Sequence, residues 1–245
     1  MTNAEIKYIK SLSQKKFRDQ YGVFVVEGEK LVAEALASRF TVENIWRREE
    51  IGEAAMARIS ALSSPSPAVA VVRRPDDLFQ DDVPSNGLFL ALDGIRDPGN
   101  LGTILRIADW FGIDAVFASP DTVDVFNPKV VQATMGAIFR VRFHYASLPA
   151  LCSDVLSSGG KVYGTFLDGE NLYEKALSNG LEAPSVIVIG NEANGISSAV
   201  AACVSDRLFI PPYPADDPGS ESLNAAVATA ITVAEFRRRC TQFQP

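Results

Sequence analysis

Residues 88–245 alternate short apolar runs with segments of helical pattern, and this alternation constrains the fold more than any other feature. The apolar runs predict strands at 88–93, 114–118, 139–145, 161–167, 185–190 and 206–210. The intervening patterns predict helices at 101–111, 128–134, 148–158, 197–202 and 222–238. Apolar strands separated by helices are typical of a parallel sheet covered on both faces. The sequence therefore predicts an α/β domain whose ligand site lies at the carboxyl ends of the strands.

A smaller α/β unit precedes this domain. Its predicted strands are 22–27, 42–48 and 68–73, and its predicted helices are 4–13, 29–38 and 53–62. A polar, turn-rich stretch follows. We therefore predict a first domain at 1–74, a linker at 75–87 and a second domain at 88–245.

Composition excludes several classes of protein. A chain of 245 residues that is 47% hydrophobic and 22% charged can bury the cores of one or two compact domains. We find no signal-peptide pattern and no apolar run long enough to span a membrane, so the cytoplasm is the expected location. Cys152, Cys203, Cys240 and the single His144 are widely separated, which disfavours a metal site or a disulfide framework. No GxSxG motif supports a hydrolase.

Charge is distributed unevenly along the chain. Residues 1–80 contain 12 Lys/Arg and 11 Asp/Glu, whereas residues 81–245 contain 11 and 19. Five basic residues fall within the first 18 positions: Lys7, Lys10, Lys15, Lys16 and Arg18. This segment is either a phosphate-contacting surface or a solvated helix face that binds nothing.

Three loops of the second domain carry polar residues where predicted strands end. Residues 97–106 contain a Pro-Gly turn, Asn100 as a candidate helix N-cap, and Arg106 in the helix. Within residues 189–197, Gly190 lies at the end of a predicted strand and Glu192 just beyond it. Residues 210–224 form a proline-rich loop that leads into an Ala-rich helix predicted to start at Ser222. Neither GxGxxG nor GxxxxGK[ST] occurs, so no nucleotide fingerprint explains these loops.

The same three segments carry a resemblance to a known family. They read Asp-Pro-Gly-Asn-Leu-Gly-Thr-Ile-Leu-Arg (97–106), Ile-Gly-Asn-Glu-x-x-Gly-Ile-Ser (189–197), and Ile-Pro at 210–211 followed by Ser-Leu-Asn at 222–224. Their order and spacing resemble the three motifs of the SpoU (TrmH) family of RNA 2′-O-ribose methyltransferases, in the SPOUT superfamily. Residues 126–140 and 24–36 resemble further family segments, the latter in an N-terminal RNA-binding domain.

The resemblance implies a deep trefoil knot in the C-terminal domain, S-adenosylmethionine bound in the knot without any metal, and a homodimer. It implies catalytic roles for Arg106, Asn100, Glu192, Ser222 and Asn224. It implies cofactor contacts at Thr165, Gly190, Ile210 and Leu223.

The chemistry implied is attack of a ribose 2′-oxygen on an activated methyl group, which mainly requires alignment of the reactants and loss of the hydroxyl proton. Arginine is a poor base because its pKa lies above about 12. We therefore expect Arg106 to clamp a phosphate. Three departures from the family pattern bear on substrate choice: Ala193-Asn194, Gln132, and a long acidic loop at 212–221.

The resemblance implies large-subunit ribosomal RNA as the substrate, since a separate N-terminal domain fits family members that act on it. Proteins recognise single-stranded RNA loops with exposed bases most readily. Transfer RNA remains an alternative substrate. Two other classes are a non-catalytic RNA-binding protein, which would lack Arg106 or Asn224, and a small-molecule enzyme, which would not need the basic N-terminal segment.

Overall fold

The computed structural model describes residues 1–77, 85–178, 180–214 and 222–239. Most of the predicted linker 75–87, most of the 212–221 loop, and Cys240 lie outside these ranges. The chain divides into two compact units, one formed by Met1–Asp76 with Asp124–Arg140 and the other by Asp77–Val123 with Val141–Pro245. Within the described ranges, no helix is both long and apolar enough to cross a bilayer.

The first unit contains a small antiparallel sheet. Its strands are β1 (Val23–Glu27), β2 (Val42–Arg47) and β3 (Ala68–Arg73), in the order β1-β3-β2. Its first five helices are α1 (Asn3–Ser11), α2 (Lys15–Tyr21), α3 (Glu29–Ala37), α4 (Arg48–Ile51) and α5 (Glu53–Ile59). The central β3 has five consecutive buried residues, because it pairs with a strand on each side and packs on both faces.

The segment Asp124–Arg140 completes this first unit. It contains α7 (Pro128–Thr134) and a 3₁₀ turn at Ala137–Phe139. The buried Arg18 guanidinium donates to Asp124 Oδ2 from Nε at 3.1 Å and from Nη2 at 2.6 Å. The Phe24 and Phe126 rings lie 4.6 Å apart between centroids. The first of these contacts holds α2 in the unit, because its buried arginine is satisfied by a carboxylate from a distant part of the chain.

The second unit is built on six parallel strands. They are β4 (Leu88–Leu92), β5 (Ala115–Ala118), β6 (Phe143–Tyr145), β7 (Lys161–Asn171), β8 (Ser185–Ile189) and β9 (Asp206–Phe209), in the order β6-β5-β4-β8-β7-β9. The helices are α6 (Pro98–Trp110), α8 (Leu148–Ser157), α9 (Ser198–Ala201) and α10 (Ala225–Arg238). The central β4 and β8 are buried at every residue. The predicted parallel α/β class is therefore confirmed.

Several predicted boundaries are wrong by three residues or more, and helices α2 and α4 were not predicted. Two of the differences have a plain physical reason. Strand 139–145 shrinks to Phe143–Tyr145, because it pairs only with the short β5 and the residues before it form the 3₁₀ turn. Helix 222–238 begins at Ala225, because Asn224 rather than Ser222 caps it.

Candidate active site

The first loop enters α6 through Asp97. The Asp97 side chain accepts a hydrogen bond from the Asn100 backbone N–H at 2.8 Å, and Pro98 occupies the first turn. Asp97 is therefore the N-cap, and the prediction that Asn100 caps this helix is wrong. Because the cap is supplied by another residue, the Asn100 side chain is left to contact other loops.

The second loop, after β8, is a closed turn. Asn191 and Gly195 exchange backbone hydrogen bonds of 2.9 Å in both directions, and the Asn191 side chain accepts from the Ala193 and Asn194 N–H groups. A Cβ on Gly190 would lie 2.3 Å from the Gly195 carbonyl carbon, so the turn's own backbone requires this glycine. The positive φ of the turn, +67°, falls on Gly195 and not on Ala193. The turn therefore accommodates Ala193 without strain.

The third loop ends at Asn224, which caps α10. Its Oδ1 accepts from the Ala226 N–H at 2.9 Å and from the Val227 N–H at 3.3 Å. Ser222 and Leu223 precede the cap and are exposed. Among the described residues, the Ser222 hydroxyl has no hydrogen-bond partner.

One chain of hydrogen bonds joins the three loops. Asn100 Nδ2 donates to Glu192 Oε1 at 2.9 Å, and Asn224 Nδ2 donates to Asn100 Oδ1 at 2.9 Å. The Glu192 carboxylate can only accept, so it turns the Asn100 amide until its oxygen faces Asn224. Asn224 then donates there, and its own oxygen is left for the helix N–H groups. Three segments separated by up to 124 positions in the chain thus meet at one point.

Helices α6 and α10 are tied together at both ends. Beside the Asn224–Asn100 bond at their starts, Arg237 Nε donates to the Phe111 carbonyl, at the end of α6, at 2.8 Å. The two helices therefore run in the same direction. Arg106 lies on α6 between these ties and is exposed. Across the described part of the chain, its guanidinium has no hydrogen-bond or ion-pair partner, so it is available to an anionic ligand.

The residues predicted to hold the cofactor gather at the carboxyl edge of the sheet. Gly190 follows β8 and Ile210 follows β9, and the intervening β7 carries Thr165, whose hydroxyl donates to the Val188 carbonyl at 3.4 Å. Leu223 stands beside the α10 cap and is 48% exposed. In the described ranges, no group of His, Cys, Asp or Glu side chains is arranged to hold a metal ion.

Two residues that were not predicted to belong to the site, Asp93 and Asn191, also support the loops. Asp93, buried at the end of β4, accepts from the Ser197 N–H at 2.7 Å. Asn191 Nδ2 donates to the Gly94 carbonyl at 2.6 Å. The position of Asp93 directly after an apolar strand was the available signal.

Two protein-family models match this chain. The model of the SpoU rRNA Methylase family matches residues 87–234, and a model described as an MRM3-like substrate binding domain matches residues 3–71. The chain belongs to the SpoU rRNA Methylase family.

Members and relatives of the SpoU family match nearly the whole chain. The Bacillus subtilis 23S rRNA (guanosine(2553)-2′-O)-methyltransferase is 32% identical, covering 96% of this chain and 96% of its own. A Porphyromonas gingivalis structure of the TrmH family is 39% identical, covers 98% of this chain and 99% of its own, and has a TM-score of 0.86. An AdoMet-bound rRNA methyltransferase from Sinorhizobium meliloti is 28% identical, with 98% and 96% coverage and a TM-score of 0.83.

SpoU membership confirms the predicted enzyme class. The chain is an RNA 2′-O-ribose methyltransferase with S-adenosylmethionine as the methyl donor. The predicted SPOUT fold is likewise confirmed.

Proposed function

We propose that this SpoU methyltransferase modifies a ribose 2′-hydroxyl of large-subunit ribosomal RNA. The main observation in support of this active site is the Glu192–Asn100–Asn224 hydrogen-bond chain, which joins three distant loops beside Arg106 on α6. The relative that acts on 23S rRNA and the substrate-binding match at residues 3–71 support ribosomal RNA over transfer RNA.

The roles of the site residues follow from their remaining hydrogen-bonding capacity. Bound S-adenosylmethionine supplies a methyl group on a positively charged sulfur. After the internal bonds, Asn100 and Asn224 each keep a free amide N–H, which can donate to the 2′-oxygen as that oxygen loses its proton to solvent water. The free Ser222 hydroxyl can orient the ribose. Arg106 clamps the adjoining phosphate, because a guanidinium pairs with two phosphate oxygens at once.

Glu192 acts through the other loops rather than on the substrate. Its second oxygen lies 3.5 Å from the Arg96 N–H and from Asn191 Nδ2, so one carboxylate braces two loops. Thr165, Gly190, Ile210 and Leu223 provide the walls for the cofactor at the carboxyl ends of β7, β8 and β9.

We also propose a homodimer. Trp110 on α6 is 85% exposed, and Val227 on α10 is 47% exposed, on two helices that pack together. Exposed apolar side chains on two adjoining helices, a tryptophan above all, suit contact with a second copy. The trefoil knot stays a prediction, since residues 215–221 of the loop before α10 lie outside the described ranges. The cytoplasm stays the predicted location.

The substrate is tested by methyl transfer from labelled S-adenosylmethionine to RNA isolated from cells that lack the enzyme. We expect label in large-subunit rRNA, at a ribose that can be mapped by resistance to alkaline cleavage. Label confined to transfer RNA would select the alternative substrate. No label in any RNA would overturn the proposed function.

The role of Arg106 is tested by Arg106→Ala. We expect kcat to fall about 10²- to 10³-fold, because a preorganised donor to the substrate is lost. S-adenosylmethionine affinity and the oligomeric state should be unchanged. The control is Arg142→Ala, which removes another exposed arginine of the same unit and should keep full turnover. Turnover of Arg106→Ala near the parent rate would exclude the clamp.

A further inference from the structure

The first two helices carry a cluster of three aromatic rings, Tyr8, Phe17 and Tyr21. The Tyr8 and Tyr21 rings meet edge to face, with centroids 5.3 Å apart and planes at 73°. The Phe17 and Tyr21 rings lie nearly parallel, at 12°, with centroids 6.4 Å apart. Each ring is thus held by a neighbour at a defined angle.

The cluster packs against the core on one side and is exposed to solvent on the other. Tyr8 and Phe17 pack against the buried core of the first unit, which includes Ile6 and Ile9. Tyr21 is 41% exposed, and α2 ends directly after it at Gly22, where φ is +66°. The anchored rings therefore hold an exposed ring in a fixed position, at low cost in conformational entropy on binding.

The two helices that carry the cluster, α1 and α2, also carry exposed positive charge. Lys7, Lys10 and Lys16 are exposed, and none has an acidic partner among the residues that the structure describes. Lys16 Nζ lies 4.7 Å from the centroid of the Phe17 ring. The other nearby charges are largely balanced, since Lys15 pairs with Asp19 at 2.7 Å and Arg73 pairs with Glu43.

We propose that Tyr21, held by Tyr8 and Phe17, stacks on an unpaired base of the RNA substrate while Lys7, Lys10 and Lys16 contact its phosphates. Stacking of bases on aromatic side chains beside basic groups is how single-stranded RNA is bound without a sequence code. Positive charge without neutralising carboxylates matches a polyanion. This proposal rests on the proposed function and deepens it, because it assigns single-stranded RNA to one surface of the first unit.

The test uses the full-length protein and two probes of equal charge, a 15-nucleotide single-stranded RNA and the same backbone with its central nucleotides abasic. We expect wild type to prefer the base-containing probe. Tyr21→Ala and Tyr21→Leu should weaken its binding about 5- to 100-fold and leave the abasic probe unaffected. Tyr21→Phe should keep the preference. Tyr21→Leu retains apolar bulk without a flat π face, so it separates stacking from simple packing.

Two further variants complete the test. Lys16→Ala should weaken binding of both probes equally and reduce the slope of log affinity against log salt by about 0.7. Tyr173→Ala removes a tyrosine of similar exposure from the second unit and should change neither.

Three outcomes would overturn the proposal: equal binding of both probes by wild type, full binding by Tyr21→Leu, or equal loss on both probes in that variant. Failure of the proposed function would be seen separately, as absent methyl transfer by wild type. Probe binding requires no turnover, so the two failures are distinguishable.

Discussion

The Asn224 side chain both caps helix α10 and joins two loops of the site. Its oxygen caps α10, and its nitrogen donates to Asn100. Because both atoms belong to one planar amide, the side chain that caps the helix also points its nitrogen at the first loop. The sequence predicted a helix that starts at Ser222, whereas α10 begins at Ala225. The contact with Asn100, which another loop brings in, is made by Asn224.

These two functions of Asn224 can be separated by substitution. Asn224→Asp keeps the cap acceptor but loses the N–H to Asn100, so we expect stability within about 0.5 kcal/mol of wild type and turnover reduced about 10- to 100-fold. Asn224→Ala loses both, and should also lose about 0.5–2 kcal/mol of unfolding free energy. Chemical denaturation and methyl-transfer rates measure the two effects. Full turnover by Asn224→Asp would show that the bond to Asn100 is dispensable.

Helix α10 is held by side-chain hydrogen bonds at its end as well as at its start. Glu235 accepts from Arg238 Nε at 2.7 Å and from Arg239 Nε at 2.6 Å. Arg239 also donates to the carbonyls of Leu172 at 3.1 Å and Tyr173 at 2.7 Å. The sequence showed basic residues in the last turn, where they complement the helix dipole, but not which carbonyls they would satisfy.

This anchor predicts a pH dependence of stability. Hydrogen bonds from Arg238, with further support from Arg239, hold the pKa of Glu235 at about 2 against an ordinary value of 4.5. A lowered pKa stabilises the fold above about 4.5, and that contribution disappears as pH falls toward 2. At pH values between these two pKa values, we expect wild type to bind up to one more proton on unfolding than Glu235→Gln does.

The measurement is the unfolding free energy of both proteins from pH 2.5 to 7. Glu182→Gln is the matched control, since Glu182 is exposed and has no partner in the described ranges. Parallel curves for wild type and Glu235→Gln would contradict the assignment. Other carboxylates with lowered pKa values, such as Asp168 and Asp206, cancel in the comparison.

At the scale of the whole molecule, the chain leaves its first unit after Asp76 and returns to it at Asp124–Arg140. The predicted limits 1–74, 75–87 and 88–245 follow composition along the chain, and they stay a prediction. Composition cannot show that Arg18 would be buried against Asp124, 106 positions away, because that pairing depends on how the chain returns.

The proposed homodimer gives a further prediction. Trp110→Glu places a charge where an 85% exposed tryptophan would be buried between copies, so we expect the dissociation constant to rise at least about 30-fold. Sedimentation equilibrium measures it. Leu156→Glu on α8 is the control, since Leu156 is 39% exposed and lies on a different helix. A wild-type monomer, or an unchanged dimer in Trp110→Glu, would exclude this interface.

Apolar periodicity, prolines and glycines act over a few residues, so the strands, most of the helices and the three polar loops were predictable from sequence, whereas α2 and α4 were missed. The resemblance of those loops supplied the family and the site residues. Tertiary structure alone decided that Asp97 caps α6, that Gly190 is required by the turn of its own loop, and that Glu192, Asn100 and Asn224 form one chain. The reason is physical: a side-chain amide has several possible partners within its own loop, and only the folding of distant segments onto it selects one.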